Sequence, residues 1–265
     1  MQHSFSDPLS RAYDKTRVAR QFSKAAVSYS QHDYLQRLCG EQLLQRLPEH
    51  SEVLVDLGCG PASMTSALQS QCGYYLGLDI AAGMLQQAQS QCNAAFAGAD
   101  MDLLPLQADS VDTVFSNLTL QWSNDLHATL SGVLKTLKPG GSMVFSTILA
   151  GSMTPLTRIF AEVDSHPHSN TFLSADVIRN VLTKLPEASW DLTELPLRVS
   201  YSSLRDMLRD LKGIGANYTA RDPQGLFTRR RFALWEAATE KYREADGKLY
   251  LYWHIGLISL RKGVD

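Results

Sequence analysis

Three carboxylates and two glycines hold most of the chemistry legible in this chain. Asp56 sits at the end of a strand-like run, Gly58 and Gly60 open a turn directly after it, and Asp79 ends a second such run. Asp100 follows a third, within Gly98-Ala99-Asp100-Met101. A glycine turn between a strand and a helix lets a ligand come close to the backbone with no Cβ in the way. The helix start then presents unpaired N–H groups. A carboxylate about 20 residues beyond the first glycine is placed to accept hydrogen bonds from both hydroxyls of a ribose. Asp100 can accept a bond from an adenine amino group, with Met101 against the ring. A lone acid is a surface charge, but three at successive strand ends describe a nucleoside site.

The turn itself, Gly58-Cys59-Gly60-Pro61-Ala62-Ser63, selects among nucleoside ligands. The dinucleotide pattern G-x-G-x-x-G asks for glycine at Ser63. Pro61 removes one N–H donor, a small loss at a helix start. Asp56 would repel a pyrophosphate, yet it suits a ligand that carries an ammonium group and a second cationic centre. Cys59 stands where a small side chain is required. These features disfavour a dehydrogenase. The intact Asp56, Gly58, Gly60 and Asp79 count against a non-catalytic protein that merely keeps a nucleotide fold.

These residues need a βαβ frame. The pattern predicts strands at 53–57, 74–78, 94–97, 111–116 and 143–149. It predicts helices at 62–70, 82–90 and 126–137, the last stopped by Lys138-Pro139-Gly140-Gly141. That alternation demands a parallel, doubly wound sheet over residues 50–149. Ahead of it, residues 1–17 read as loose, and one helical pattern runs from Val18 to Leu47. After Gly151 the rhythm changes. Helices are expected at 156–163, after a Ser174 cap, at 203–212 and at 229–244, with a strand at 191–200. A long apolar strand at 248–260 is expected to close the sheet. The organisation predicted is a helical N-terminal cap (1–48), a nucleotide-binding core (49–150), and a remainder of the same domain (151–265) whose insertions lie over the site.

Composition narrows the classes. Across 265 residues, 25 Lys plus Arg against 27 Asp plus Glu leave a net charge of -2, so there is no basic footprint for nucleic acid. Cys39, Cys59, Cys72 and Cys92 have no zinc spacing, and no metal is expected. They read as reduced, packed thiols. The N-terminal stretch has no apolar core of a signal peptide, and no apolar run approaches the ~20 residues of a membrane span. The expected setting is cytoplasmic, without a membrane partner.

Taken together, VLVDLGCGPAS (53–63), GLDIAAGM (77–84), GADMDLLPL (98–106), FSNLTLQW (115–122) and LKPGG (137–141) resemble the class I S-adenosylmethionine-dependent methyltransferases. The resemblance implies a Rossmann-like α/β fold with a seven-stranded, mostly parallel sheet, a helical N-terminal segment and lid insertions after strands five and six. It implies S-adenosyl-L-methionine as methyl donor, with Gly58, Cys59 and Gly60 under the methionyl group. Asp79 would then bind ribose, Asp100 and Met101 adenine, and Met84 would belong to the cofactor wall. The family's third glycine falls at Ala62, which asks for a slightly different local backbone.

Outside the core, RQFSKAAVSYSQHDYLQ (20–36), SNLTLQW (116–122), AEVDSHPHSNTFLSADVI (161–178), LRDLKGIGANYTARD (208–222) and YWHIGLISLRKG (252–263) resemble the malonyl-[acyl-carrier protein] O-methyltransferase family. The reaction implied is methylation of the free carboxylate of a malonyl thioester, early in biotin synthesis. Its partner is malonyl-acyl-carrier protein or malonyl-coenzyme A. A carboxylate is already a nucleophile at neutral pH, so no general base is expected. The site must align oxygen, methyl carbon and sulfur, and exclude water. A quinone precursor or another small acceptor is the alternative within the same fold.

The malonyl carboxylate calls for a cation, and His168, Arg179, Arg205, Lys212 and Arg221 are the candidates, with Lys212 favoured beside its glycine turn. Tyr29 is a candidate donor to the methionyl carboxylate. Asn117 falls where sulfonium and acceptor meet, and Gln121 and Trp122 would shape the acceptor pocket. Arg229, Arg230 and Arg231, with Arg198, Arg205, Arg209 and Lys212, form the positive region expected to meet an acidic carrier.

Overall fold

The computed structural model describes residues 12–163, 170–215 and 228–264. Seven strands form one sheet: β1 (Ser51–Leu57), β2 (Cys72–Asp79), β3 (Ala95–Gly98), β4 (Val111–Ser116), β5 (Leu137–Ile148), β6 (Ala188–Tyr201) and β7 (Leu249–Lys262). Their spatial order is β3-β2-β1-β4-β5-β7-β6. The first five run parallel, and β7 lies antiparallel between β5 and β6. This is the doubly wound sheet expected, with one correction. The 248–260 strand does not close the edge, because β6 pairs with β7 along its whole length and takes the outside place. Burial explains the order. β7 alternates and then runs apolar with Leu251, Trp253, Ile255, Leu257 and Ile258 inside, whereas β6 reads half-exposed throughout.

The helices are α1 (Lys15–Ala25), α2 (Tyr34–Leu44), α3 (Thr65–Gln69), α4 (Ala82–Gln91), α5 (Leu126–Thr136), α6 (Leu156–Val163), α7 (Ala175–Leu182), α8 (Leu204–Gly213) and α9 (Arg229–Thr239). Local caps set several starts. Asp14, Asp125, Ser174 and Ser203 accept bonds from the backbone N–H groups of Arg17, Ala128, Val177 and Asp206. The expected single N-terminal helix is two, broken by a 3-10 turn at Tyr29–Gln31. The first of them begins at Lys15, so residues 15–17 are helical rather than loose. The helix predicted at 62–70 shrinks to α3, because Ala62 takes a left-handed φ of 73° that no helix can contain. Residues 137–141 belong to β5, whose register shifts beside Val111–Thr113, and do not form a separate turn.

Two apolar layers cover the sheet. One gathers Val55, Leu57, Leu78, Val114, Leu130, Val133 and Phe145; the other gathers Leu43, Leu54, Phe115, Val144, Trp235 and Leu257. Between β2, β1 and β4 the chain reverses its direction of growth across the sheet. The carboxyl ends of those strands open there into a crevice, where ligands of such folds bind.

Candidate functional site

The glycine turn is built by β1 and β2 together. The backbone N–H groups of Gly58 and Cys59 both donate to the Leu78 carbonyl, at 2.7 and 3.0 Å. Gly58 has φ +79°, and a Cβ there would lie 2.2 Å from Thr119 Oγ1, so only glycine lets the loop after β4 approach. Gly60, at φ +55°, is different: a Cβ there would meet nothing within 4 Å. Its bare face is room for a ligand. Ala62, where the resemblance puts the family's third glycine, has a left-handed φ of 73°.

A chamber opens above this turn. Leu57, Leu78, Ile80, Met84, Ala99 and Met101 give it apolar walls, and Val18 and Phe22 of α1 roof it. Trp122 stands at one side with Phe22 edge-on at 5.5 Å. Asp79 is tied at the end of β2. One carboxylate oxygen accepts the Gly60 N–H at 3.0 Å and the other accepts the Ala81 N–H at 2.7 Å. Burial holds its carboxyl up at about 6 even though the Ala81, Gly60 and Ile80 N–H groups pull the other way.

Asp100 also faces this chamber, but not alone. Lys15 reaches down from α1 to within 3.3 Å of Asp100 and 2.8 Å of Asp102, and donates to the Trp122 carbonyl at 3.0 Å. Lys15 was not singled out in the sequence. One signal could have shown it: it precedes Val18 by three residues on the face that Phe22 continues, so the amphipathic pattern extends back to it.

A smaller chamber adjoins the first. Tyr29, Gly58, Gly60 and Asn117 are walls of both. The smaller one adds Gln36, Arg37, Asp56, Cys59, Ser63 and Met64. Asp56 is 3% exposed and accepts the Tyr75 hydroxyl at 2.8 Å, and Tyr75 lies 2.9 Å from Thr65 Oγ1. Burial pushes the Asp56 carboxyl up to about 7; the Tyr75 bond lowers it and Asp79 adds to the rise. Burial likewise raises the Cys59 thiol and the Tyr29 hydroxyl well above their ordinary ranges, so both stay protonated.

Asn117 has both ends of its amide engaged. Its Nδ2 donates to the Gln36 carbonyl and its Oδ1 accepts from Ser146, each at 2.8 Å. Gln121 donates to the Leu118 carbonyl at 2.5 Å, and its own carbonyl oxygen is buried without a partner. It is not a wall of either chamber, whereas Trp122 is. The predicted cations do not converge here. Lys212 is exposed in the last turn of α8, Arg179 is paired with Asp176 and Glu194, and Arg205 lies over the Phe232 ring. His168 and Arg221 lie outside the described residues. Among the described residues there is no cluster of three or more His, Cys, Asp or Glu suited to a metal, and no helix long and apolar enough to cross a membrane.

The pair of chambers fits a nucleoside with a charged tail. A flat base would suit the apolar slot and a diol would suit Asp79, with Gly60 between the two chambers. Residues 55–145 match the family described as a methyltransferase domain. The fold is that of solved structures such as YcgJ from Bacillus subtilis (TM-score 0.61, 15% identity, covering 86% of this chain and 99% of that one). An S-adenosylmethionine dependent methyltransferase from Mesorhizobium loti is also alike (TM-score 0.50, 21% identity, covering 84% and 96%). The fold and this family match define a class I S-adenosylmethionine-dependent methyltransferase.

Curated relatives place it more narrowly. The malonyl-[acyl-carrier protein] O-methyltransferase of Serratia marcescens is 35% identical over 245 residues, which is 91% of this chain and 94% of that one. That of Yersinia pestis is 35% identical over 245 residues, covering 91% and 90%. The chain belongs to the methyltransferase family that includes these proteins. It also matches the biotin biosynthesis bifunctional protein BioHC of Cellvibrio japonicus at 34% identity over 92% of its own length. It spans about half the length of that relative.

Proposed function

We propose that this enzyme methylates the free carboxylate of a malonyl thioester carried by acyl-carrier protein. The observation that carries the reading is end-to-end similarity: the alignment with the Serratia marcescens relative takes in the insertions after β5 and β6 as well as the cofactor half. S-adenosylmethionine, when bound, supplies an electrophilic methyl group on a sulfonium. The chain's residues bind and orient it. Asp79 takes the ribose hydroxyls, Asp100 with Met101 and Met84 takes adenine, and Lys15 offsets the charge of Asp100. Asn117, locked by Ser146 and the Gln36 carbonyl, fixes the end of β4 where sulfur and acceptor oxygen meet. The roof of Val18, Phe22 and Trp122 excludes water.

An ionised carboxylate acceptor fits these walls. The ionisable groups among the described walls of the main chamber are Lys15, Tyr29, Asp79 and Asp100, and none is free to act as a base toward an alcohol or amine. Lys15 is held by two carboxylates, Tyr29 is kept protonated, and Asp79 and Asp100 are engaged. The carrier would meet the exposed start of α9, at Arg229 and Arg230. A cytoplasmic setting goes with such a carrier.

The test is direct. The protein is mixed with methyl-labelled S-adenosylmethionine and malonyl-carrier protein, and a base-labile methyl ester is sought on the carrier by mass spectrometry. Absence of that mass gain, with methylation of another acceptor, would move the enzyme to another substrate. A second measurement addresses the ribose role. Asp79→Ala is expected to weaken cofactor binding by about 1–3 kcal/mol, the scale of lost hydrogen bonds to a charged group. An unchanged dissociation constant would remove that role.

A further inference from the structure

β5 carries a hydroxyl where its neighbours are apolar. Ser146 follows Met143, Val144 and Phe145 in a buried run and is fully buried itself. A hydroxyl in such a place is costly unless its hydrogen-bonding capacity is used. Here both functions are used. The oxygen accepts the backbone N–H of Leu118 at 2.9 Å, and the proton goes to Asn117 Oδ1 at 2.8 Å. The direction of the second bond follows from the other partner of Asn117. Its Nδ2 lies 2.8 Å from the backbone carbonyl of Gln36, which can only accept. The amide nitrogen therefore faces α2 and the amide oxygen faces β5.

Ser146 thus holds two consecutive residues after β4. Leu118 takes a left-handed φ of 49°, a conformation that leucine rarely adopts and that persists only where the surroundings enforce it. Its N–H is held by Ser146 and its carbonyl by Gln121. Leu118 is a wall of the main chamber, and Asn117 is a wall of both chambers. One Asn117 amide N–H goes to Gln36, and the other has no partner among the described residues. What Asn117 has left to offer at the junction of the chambers is a neutral N–H donor.

A carboxylate acceptor needs such a group. One of its oxygens bonds to the methyl carbon as the carbon–sulfur bond breaks, and no proton moves. The other oxygen must be held without neutralising the charge that makes the first one a nucleophile. A neutral N–H does this, whereas an amide oxygen turned the same way would repel the carboxylate. Lys15, the cation among the described walls of the main chamber, is already held by two carboxylates. We propose that Ser146 is a positioning residue: it fixes the polarity of the Asn117 amide so that an N–H, and not a carbonyl oxygen, meets the acceptor carboxylate. The proposal rests on the reading of the acceptor as a carboxylate.

The test measures initial rates with malonyl-carrier protein, and S-adenosylhomocysteine binding by calorimetry, for wild type, two single variants and their double. No methylation by wild type would remove the acceptor reading and this proposal with it; failures confined to the variants concern the proposal alone. Ser146→Ala is expected to lower kcat/KM roughly 10- to 100-fold while S-adenosylhomocysteine affinity stays within about twofold. Ser146→Thr, which keeps the hydroxyl, should recover most of that loss. The double variant separates positioning from support. If Ser146 acts through the amide, Ser146→Ala costs nothing further in an Asn117→Ala background. A loss of full size in that background would mean that the hydroxyl only supports Leu118, and would overturn the proposal. Unchanged kcat/KM in Ser146→Ala, or an equal loss of S-adenosylhomocysteine affinity, would overturn it too. Should Ser146→Ala not fold, Ser146→Cys, with a similar shape and a weak S–H donor, gives the same comparison.

Discussion

Two carboxylates enclosed at the crevice and two exposed ones in the C-terminal half titrate in opposite directions. At the crevice, Asp56 and Asp79 are pushed up, to about 7 and about 6, because burial outweighs the hydrogen bonds they receive. In the C-terminal half, Glu162 and Asp246 are pulled down by their partners, Lys241 and Tyr242 in one case and Tyr250 in the other. The crevice holds Ala62 at φ 73° within its turn, whereas β6 and β7 pair in unbroken register over fourteen residues each. One half stores cost that a cationic ligand can relieve; the other uses its charges and its ladder to hold itself together. Buried, unbalanced charge marks binding sites with some reliability, and paired surface charge does not.

The largest effects should separate the halves cleanly. In Gly58→Ala the new Cβ would lie 2.2 Å from Thr119 Oγ1 at a φ of +79°. Overpacking and left-handed strain together should cost about 3–5 kcal/mol in denaturant unfolding and remove cofactor binding. In Ile255→Ala, at a fully buried position of β7 between Ile148 and Leu195, the loss should be about 2–5 kcal/mol of stability. Yet S-adenosylhomocysteine should bind that folded variant as it binds wild type. If Ile255→Ala weakened binding tenfold below its unfolding midpoint, the two halves would be coupled and the division drawn above would fail.

Asp56 gives a test of intermediate size. Its native pKa lies above its unfolded one, so between about pH 4 and 7 the native state binds more protons than the unfolded state. The stability of the ligand-free protein therefore falls as pH rises through that window. Asp79 contributes with the same sign up to about pH 6. Asp56→Asn keeps an acceptor for Tyr75 and removes one titration. At pH 8 the variant should be more stable than wild type by on the order of 4 kcal/mol, and at pH 4 the two should match. A difference that is the same at both pH values would show that Asp56 is not charged at a cost in the native state.

How much of this was legible depended on how far apart the deciding partners lie in the chain. β4 (Val111–Ser116) and α6 (Leu156–Val163) fall where the pattern put them, since each is set by local periodicity between turn residues. Asp79 and Asp100 could be read because strand ends in a parallel sheet reach one edge whatever the loops do. The order of β6 and β7 could not be read, because an antiparallel pair added to the edge is placed by burial on both faces. Lys15, Gln36 and Arg37 were hidden for a related reason. Each is an ordinary polar residue on a helix, and only the approach of α1 and α2 to the carboxyl ends of the strands makes it a wall of the crevice. Lys212 was attractive in sequence for its glycine neighbours, but it is exposed and lines neither chamber. The cofactor half is written in strand ends; the acceptor half is written in contacts that no spacing encodes.

The smallest effect asks whether the strain in the turn is a relic or a cost still borne. Ala62 holds a conformation that an L-residue adopts at a penalty of roughly 1–2 kcal/mol. Glycine there would remove the penalty but would enlarge the unfolded ensemble, at a cost of about 0.4–1 kcal/mol. The balance favours the substitution by roughly 0.5 kcal/mol, readable in thermal unfolding as a small rise for Ala62→Gly. The sign carries the meaning. A rise would show that the turn is held left-handed by its surroundings, through Gly58 and Cys59 on Leu78 and Ser63 on Asp33. A fall would show that the alanine methyl makes contacts worth more than the strain. The turn would then be fixed by packing from within, and its contrast with the β6–β7 ladder would shrink to the charges alone.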